Sequence, residues 1–291
     1  MTFAKLRERV IEAWIFLSGL ACSVFVVLIF AFLVKEALPF FRRYPLAEFL
    51  LSLRWYPISQ PPSFGMVTLL VGTLWVTLGA ALLSLPLGLA CAIYIAEIAP
   101  KTLRDLLKVM VELLAAIPSV VLGFVGLVTL VPWVRRTFGL PTGLTAFSGS
   151  IVLAFMAMPT IVTILDDAIR AVPRSYREGA LALGASRWQM IRRVVLVGAR
   201  SGILAGMMLG IGRVIGETMA VMMITGNAAA AATSIFQPVR TMTATVAAEM
   251  GEAVRGGLHY QALFAIGLVL FVITFIINFI ADRLLHGRRS R

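Results

Sequence analysis

Six predominantly apolar runs constrain the fold of this chain more than any other feature of its sequence. An α-helix rises about 1.5 Å per residue, so roughly 20 apolar residues are enough to cross the hydrocarbon core of a bilayer. Lipid offers no hydrogen bonds to the backbone, whereas a helix satisfies its own backbone groups. The sequence therefore predicts an all-α integral membrane protein with six transmembrane helices, at about residues 12–34, 66–96, 109–131, 149–165, 202–225 and 259–281.

Prolines interrupt two of these runs. The second run is longer than a membrane crossing needs and contains Pro86, which predicts a break, a kink or a part that lies along the interface. The fourth run is short and contains Pro159.

The composition excludes several other classes of protein. Hydrophobic residues make up 60% of the chain and charged residues 14%, whereas a soluble domain is about half apolar and a quarter charged. The net charge is +12. The basic residues lie between the apolar runs, which is typical of the loops of a membrane protein and not of a nucleic-acid-binding surface. Cys22 and Cys91 lie in apolar runs without metal-ligand spacing, and His259 and His286 are the only histidines. With no GxxxxGK[ST] motif either, we expect no catalytic residue, no metal, no cofactor and no ATPase activity of its own.

The basic residues also orient the predicted helices. If the N-terminus is inside, seventeen basic residues lie in cytoplasmic segments and eight lie in outer segments. Positive charge accumulates in cytoplasmic loops. We therefore expect a multi-pass protein of the plasma (inner) membrane with both termini in the cytoplasm.

Two long segments lie outside the predicted spans. Residues 35–65 are rich in proline and predict an extended loop, with at most a short helix. Residues 226–258 are rich in Ala and Thr, and part of 235–256 is predicted to form a helix on or in the outer face of the membrane. The predicted organisation is an N-terminal span with its outer loop (1–65), a transmembrane core (66–282) with a cytoplasmic coupling loop (166–200), and a basic cytoplasmic tail (283–291).

The loop segment PRSYREGALALGASRWQMIRRVVL, residues 173–196, predicts two short helices joined by a tight turn. Ser175 and Ser186 each stand three residues before a Glu or Gln, which fits a capping box at the start of each helix. Gly184 lies between them, where a helix end favours a residue that tolerates positive φ.

This pair of helices has two interpretations. The first helix would present a small apolar knob of Ala180, Leu181 and Leu183, and the second carries arginines beside Trp188 and Met190. The segment is either an amphipathic hairpin that anchors the loop at the membrane surface or a docking element for a cytoplasmic partner.

The same segment resembles the EAA loop of permease subunits in ABC importers. Glu178, Ala180 and Gly184 match the pattern of that loop, Gly179 stands where Ala is usual, and Val197 stands where Pro is common. The resemblance implies that the loop docks on an ATPase subunit and transmits its closure to the spans. The residues that it implies for this contact are Glu178, Gly179, Ala180, Leu181, Gly184 and Ala185.

Five segments narrow the resemblance to the permease subunits of phosphate importers, of the PstC type: AIYIAEIAP, AIPSVVLGFVGLVTLVP, DDAIRAVPRSYREGALALGAS, GRVIGETMAVMMITGN and RTMTATVAAEMGEA. This implies a type I ABC importer permease fold and a transport subunit for inorganic phosphate that works by alternating access. It also implies a sister permease, two ATPase subunits that hydrolyse ATP, an extracytoplasmic phosphate-binding protein and membrane lipid as partners, and no nucleic acid.

Arg213 and Glu217 lie inside the fifth apolar run, where one charge costs about 2.5–3.5 kcal/mol at the bilayer centre. On one interpretation they form a structural i,i+4 ion pair buried against another span. On the other, Arg213 contacts the anion on the translocation path, since a guanidinium stays charged and offers a planar fork to phosphate oxygens. Glu217 would then hold Arg213 in place. The resemblance implies a role in phosphate passage for these two residues.

The rest of the fifth run predicts the surroundings of this pair. On a helix, Gly202, Gly206 and Gly210 fall on the same stripe as the two charges, which predicts a seam where a neighbouring helix packs closely. Further along, toward the outer end, three residues are candidate hydrogen-bond donors to the anion: Thr218, Thr225 and Asn227.

Three other functions remain open at this stage. A permease for another oxyanion, such as sulfate or molybdate, would have the same EAA loop. An ion-coupled secondary transporter would work without an ATPase and is expected to show an internal inverted repeat. In a non-transporting membrane scaffold, the charges at mid-span would serve structure alone.

Overall fold

The computed structural model describes residues 3–286. Its helices are α1 (Phe3–Arg43), α2 (Leu46–Leu51), α3 (Val67–Ile93), α4 (Lys101–Ala116), α5 (Ser119–Val125), α6 (Val131–Thr137), α7 (Ala146–Arg170), α8 (Arg174–Ala182), α9 (Arg187–Met190), α10 (Leu196–Gly198), α11 (Arg200–Gly216), α12 (Met219–Ile224), α13 (Met242–Glu249) and α14 (Leu258–His286). Three π-helical turns, Tyr94–Ile98, Gly126–Leu130 and Ile191–Val195, continue helices. Strands β1 (Trp55–Tyr56) and β2 (Ser63–Phe64) form an antiparallel hairpin, with Trp55 opposite Phe64.

Five helical stretches are long and apolar enough to cross a membrane. They are Arg7–Arg43, Val67–Ile98, Ser119–Thr137, Ala146–Arg170 and Leu258–Ile280. A sixth crossing results if Arg187–Gly198 and Arg200–Gly216, which meet at 73°, count as one span. The prediction of an all-α membrane protein is confirmed, and the predicted number of six crossings is reached if this bent pair is one span.

The third crossing does not lie where the apolar run 109–131 placed it. α4 is a separate helix that ends at Ala116, and the next residue, Ile117, is extended at φ −70°, ψ 125°. Pro118 causes this end, since a proline disfavours helical backbone in the residue before it. The crossing begins after it and runs from Ser119 to Thr137. The predicted run 109–131 combined the apolar face of the amphipathic helix α4 with the first part of the crossing, because both are apolar and adjacent in the sequence.

The fifth crossing is broken rather than continuous. α11 ends at Gly216, and Glu217 is extended at φ −69°, ψ 135° before α12 begins. The hydroxyl of Thr243 in α13 donates to the backbone oxygen of Glu217 (2.8 Å). This tertiary bond satisfies a backbone group that a continuous helix would have used, so the predicted single helix over 202–225 is wrong.

The two internal prolines do not break their helices. α3 runs without interruption past Pro86 and continues through the turn Tyr94–Ile98, and Pro159 is buried inside α7. Neighbouring helices, which satisfy freed backbone groups, make proline tolerable inside membrane helices.

The bundle has two ends, which we name after the elements that they carry. The hairpin end holds β1, β2 and α2, and the α8 end holds α8 and α9. At the hairpin end, α1 continues through Pro39 to Arg43, so the predicted loop over 35–65 begins later than expected and contains the short helix α2. The helix predicted within 235–256 forms as α13.

The hairpin end has its own core of aromatic side chains. Phe40 contacts Tyr44, Phe49 and Phe64 at ring-centroid distances of 5.1–5.5 Å. Burial is the main cause that raises the pKa of the Tyr44 hydroxyl, which donates to Glu48 Oε1 (2.7 Å). The hydroxyl therefore stays protonated at neutral pH and remains a hydrogen-bond donor.

A half-buried carboxylate joins the hairpin to two other elements. Glu249 of α13 accepts hydrogen bonds from the indole of Trp55 (3.0 Å) and from Arg240, and it contacts His259 Nε2 of α14 (2.9 Å).

The predicted tail 283–291 lies mostly outside the described residues, since the backbone of α14 is described to His286.

Candidate functional site

α11 packs closely against α7 along three glycines. A Cβ atom on Gly202, Gly206 or Gly210 would come within 2.4 Å of a side-chain atom of α7. The three atoms belong to Ala168, Leu165 and Ile161, in that order. The predicted seam is therefore present, and its partner is α7.

We expect Gly202→Ala to destabilise the protein by about 1–3 kcal/mol, because the new methyl group overlaps the Cβ of Ala168 and the helices must separate. Gly212→Ala is the matched control, because a Cβ there has no atom within 4 Å. Thermal unfolding of the purified full chain in detergent measures both. Equal melting temperatures for the two variants would contradict a tight seam.

Arg213 lies beyond the seam, in the last turn of α11, and its side chain is exposed on the surface of the chain. Among the side chains that the structure describes, five ion pairs form and none includes Arg213. The carboxylate of Glu217 instead accepts from the backbone N–H of Ala220 (3.4 Å), at the start of α12. The i,i+4 ion pair is absent because the helix ends before Glu217.

The break next to Arg213 gathers polar groups. Glu217 and Thr218 are both half-buried there, and the hydroxyl of Thr218 donates to the carbonyl of Gly216 (3.2 Å). Thr225 is fully buried and donates to Val221 of its own helix, so it does not face this place. The arrangement offers an exposed guanidinium beside half-buried oxygen groups, which suits transient contact with an oxyanion.

At the α8 end, the segment 173–196 forms the two predicted helices. The side chain of Ser186 accepts from the N–H of Gln189 and the side chain of Gln189 accepts from the N–H of Ser186, so this capping box is confirmed. Gly184 has φ +81°, as predicted. The box at Ser175 does not form, because α8 begins two residues earlier than such a cap requires, with Pro173 as the capping residue.

The tip between α8 and α9 is the most exposed apolar feature of this end. Leu183 is 90% exposed and Leu181 44% exposed, and Trp188 is also exposed. Met190 of the second helix is buried in the core. Of the other coupling-loop residues, Glu178, Gly179 and Gly184 are exposed, whereas Ala180 and Ala185 are half-buried.

Two ion-pair clusters at the α8 end were not predicted from the sequence. Arg177 of α8 pairs with Glu97 (2.7 Å), in the π-helical turn after α3. Asp166 of α7 is 2% exposed and pairs with both Lys108 and Arg170 (2.7 Å each). Arg170 follows Asp166 by four residues, which is a readable helical spacing, but the other two pairs join distant parts of the chain.

Comparison with known proteins identifies the family of this chain. A family described as "Binding-protein-dependent transport system inner membrane component" matches residues 84–290. The chain belongs to this family. It is therefore a multi-pass inner-membrane transport component, like the other binding-protein-dependent permeases.

Curated relatives of this permease cover most of its length. The probable ABC transporter permease protein YqgH of Bacillus subtilis is 40% identical over 84% of this chain and 78% of its own. The phosphate transport system permease protein PstC of Mesorhizobium japonicum is 38% identical over 82% of this chain and 78% of its own.

A solved structure agrees with the fold of the permease. It is the bacterial alginate ABC transporter in complex with an alginate pentasaccharide-bound periplasmic protein, with a TM-score of 0.65 and 16% identity over 98% of this chain and 99% of that chain. At this identity the likeness concerns the fold alone. The permease has the fold of type I ABC importer transmembrane subunits.

Proposed function

We propose that this chain is the permease subunit of an ATP-driven importer of inorganic phosphate. The observation that carries the proposal is the exposed guanidinium of Arg213 beside the break between α11 and α12, in a chain 38% identical to a phosphate transport system permease. A guanidinium binds phosphate oxygens through parallel hydrogen bonds and keeps its charge at any physiological pH.

The chain needs a second transmembrane subunit for this task. Arg213 lies about midway along the segment formed by α11 and α12, which runs from Arg200 to Ile224, and it is exposed in the single chain. In lipid such a charge is costly, so it must face either a neighbouring protein or a water-filled cavity. A sister permease that covers this face would enclose the substrate path, with Arg213, Glu217 and Thr218 along it.

The α8 end fits contact with an ATPase subunit. The complex would hold two ATPase subunits, one on each permease. This assignment puts both termini and the arginines of α8 and α9 in the cytoplasm, in keeping with the excess of positive charge there. The exposed tip at Leu181 and Leu183 is small and apolar, which suits insertion into a groove. The residues of the contact are Glu178, Gly179, Ala180, Leu181, Gly184 and Ala185.

The hairpin end then faces outward and receives a phosphate-binding protein. The periplasmic protein in the related alginate transporter complex supports a partner of this kind. Loaded receptor binds there, ATP closes the ATPase pair against α8, and the cavity opens outward. The anion leaves inward after hydrolysis, because the two states differ in their affinity for it.

Uptake of radiolabelled phosphate into vesicles that contain the whole complex tests this function. We expect uptake that requires ATP and that excess unlabelled phosphate abolishes, while excess sulfate leaves it unchanged. Competition by sulfate would instead identify a permease for another oxyanion. Uptake without ATP would contradict an importer of this class.

A further inference from the structure

One side chain of the helix α8, that of Arg177, makes hydrogen bonds to two of the spans. No residue of α8 is buried, and Ala180 is the apolar residue of the helix that packs against the core. Arg177 lies on the inward face, with its side chain 17% exposed. A force applied to α8 can reach α3 through Arg177, in addition to the chain connection with α7 and the packing of α8 against the turn Ile191–Val195.

The guanidinium of Arg177 contacts two different spans. Its Nε and Nη2 donate to Oε1 of Glu97, at 3.0 and 2.7 Å, at the end of α3. Its remaining hydrogen bonds go to the carbonyl groups of Ile169 (2.8 Å) and Val172, at the end of α7. The carboxylate of Glu97 is 8% exposed, so water does not readily replace the arginine.

The end of α3 that holds Glu97 is itself fixed. Arg104 of α4 donates to the carbonyl groups of Ile95 (3.0 Å) and Ala99 (3.2 Å), on either side of Glu97. The π-helical turn Tyr94–Ile98 is thus closed by arginines from two elements. A displacement of Arg177 is therefore expected to move the whole end of α3, and not the side chain of Glu97 alone.

At its other end, α3 is bonded to the helix that supports the break. Thr73 of α3 accepts from the backbone N–H of Met242 (3.0 Å), the first residue of α13. The next residue, Thr243, donates to the backbone oxygen of Glu217. Hydrogen bonds and one helix therefore connect Arg177 continuously with the break beside Arg213.

We propose that Arg177 is a positioning residue that transmits ATPase-driven movement of α8, through Glu97, α3 and α13, to the break at Glu217 and Thr218. The proposal rests on the proposed function for the source of the movement. It does not depend on phosphate being the substrate.

The test measures how ATP changes access to the break. Thr218→Cys, in a full chain whose Cys22 and Cys91 are replaced by Ala, is labelled with a water-soluble maleimide in the assembled complex. Labelling is compared without nucleotide and with ATP and vanadate. A change in labelling rate is expected for this Thr218→Cys parent, and we expect Arg177→Gln to reduce that change by about fivefold or more while ATP hydrolysis continues.

Two further variants make the result decisive. The double variant Arg177→Gln/Glu97→Gln leaves no unpaired buried charge and is expected to lose the ATP-induced change as well. Arg174→Gln removes an exposed arginine of the same helix and is expected to keep it. The proposal is overturned if the double variant responds to ATP like the parent, if Arg174→Gln loses the response equally, or if Arg177→Gln releases the ATPase subunits.

A separate readout distinguishes this proposal from the proposed function. If the complex transports no phosphate but maleimide labelling of its Thr218→Cys variant still responds to ATP through Arg177, the substrate assignment fails and the linkage stands. If phosphate is transported with the same yield per ATP in the double variant, the linkage fails and the substrate assignment stands.

Discussion

Arg213→Gln is expected to abolish phosphate uptake by the assembled complex, with a loss of at least about tenfold. The glutamine keeps a hydrogen-bonding group of similar length but removes the charge, and a hydrogen bond to a charged group contributes about 1.5–3 kcal/mol. Radiolabelled phosphate uptake into vesicles measures the effect, and co-purification of the subunits shows that assembly is intact.

Two variants control for this result. Arg283→Gln removes an exposed arginine that lies over the ring of Phe279, far from the break, and is expected to transport normally. Arg213→Lys retains the charge without the planar fork and is expected to give intermediate uptake. Wild-type uptake by Arg213→Gln would refute the role of Arg213 in anion passage.

Leu183→Glu is expected to release the ATPase subunits and to stop uptake. Leu183 is 90% exposed at the tip between α8 and α9, so the substitution leaves the fold of the chain intact. In a docked complex the same position is covered, and an unpaired carboxylate in an apolar groove is strongly unfavourable. Co-purification of the ATPase with the tagged permease is the measurement.

Ile58→Glu is the matched control for the docking surface. Ile58 is 84% exposed in the hairpin segment, at the opposite end of the bundle. This substitution adds the same charge to an equally exposed apolar position and should leave the ATPase bound. If Leu183→Glu also keeps its ATPase, the tip of α8 is an anchor at the membrane surface and not a docking element.

Local patterns in the sequence predicted local structure well. The capping box at Ser186 and the turn at Gly184 depend on residues within one or two helical turns, and both form as expected. The glycine seam of α11 follows from helical spacing alone. The box at Ser175 does not form for an equally local reason, since Pro173 caps the helix two residues earlier.

Features that depend on tertiary contacts were not predictable from the sequence. The end of α11 at Gly216 is stabilised by Thr243, and no helical or strand periodicity connects that residue with Glu217. The pair of Arg177 and Glu97 joins residues 80 positions apart. Hydropathy averaged over a window also cannot separate the amphipathic α4 from the crossing that follows it.

The end of α11 also explains how an arginine remains inside an apolar run without an acidic partner among the described side chains. The last carbonyl groups of a helix carry about half a negative elementary charge, and Arg213 is in this last turn. The backbone thus supplies a diffuse negative charge. Unlike a carboxylate side chain, it cannot move to form hydrogen bonds with the guanidinium of Arg213. An anion passing the break would displace no competing side chain, so both its capture and its release can be fast.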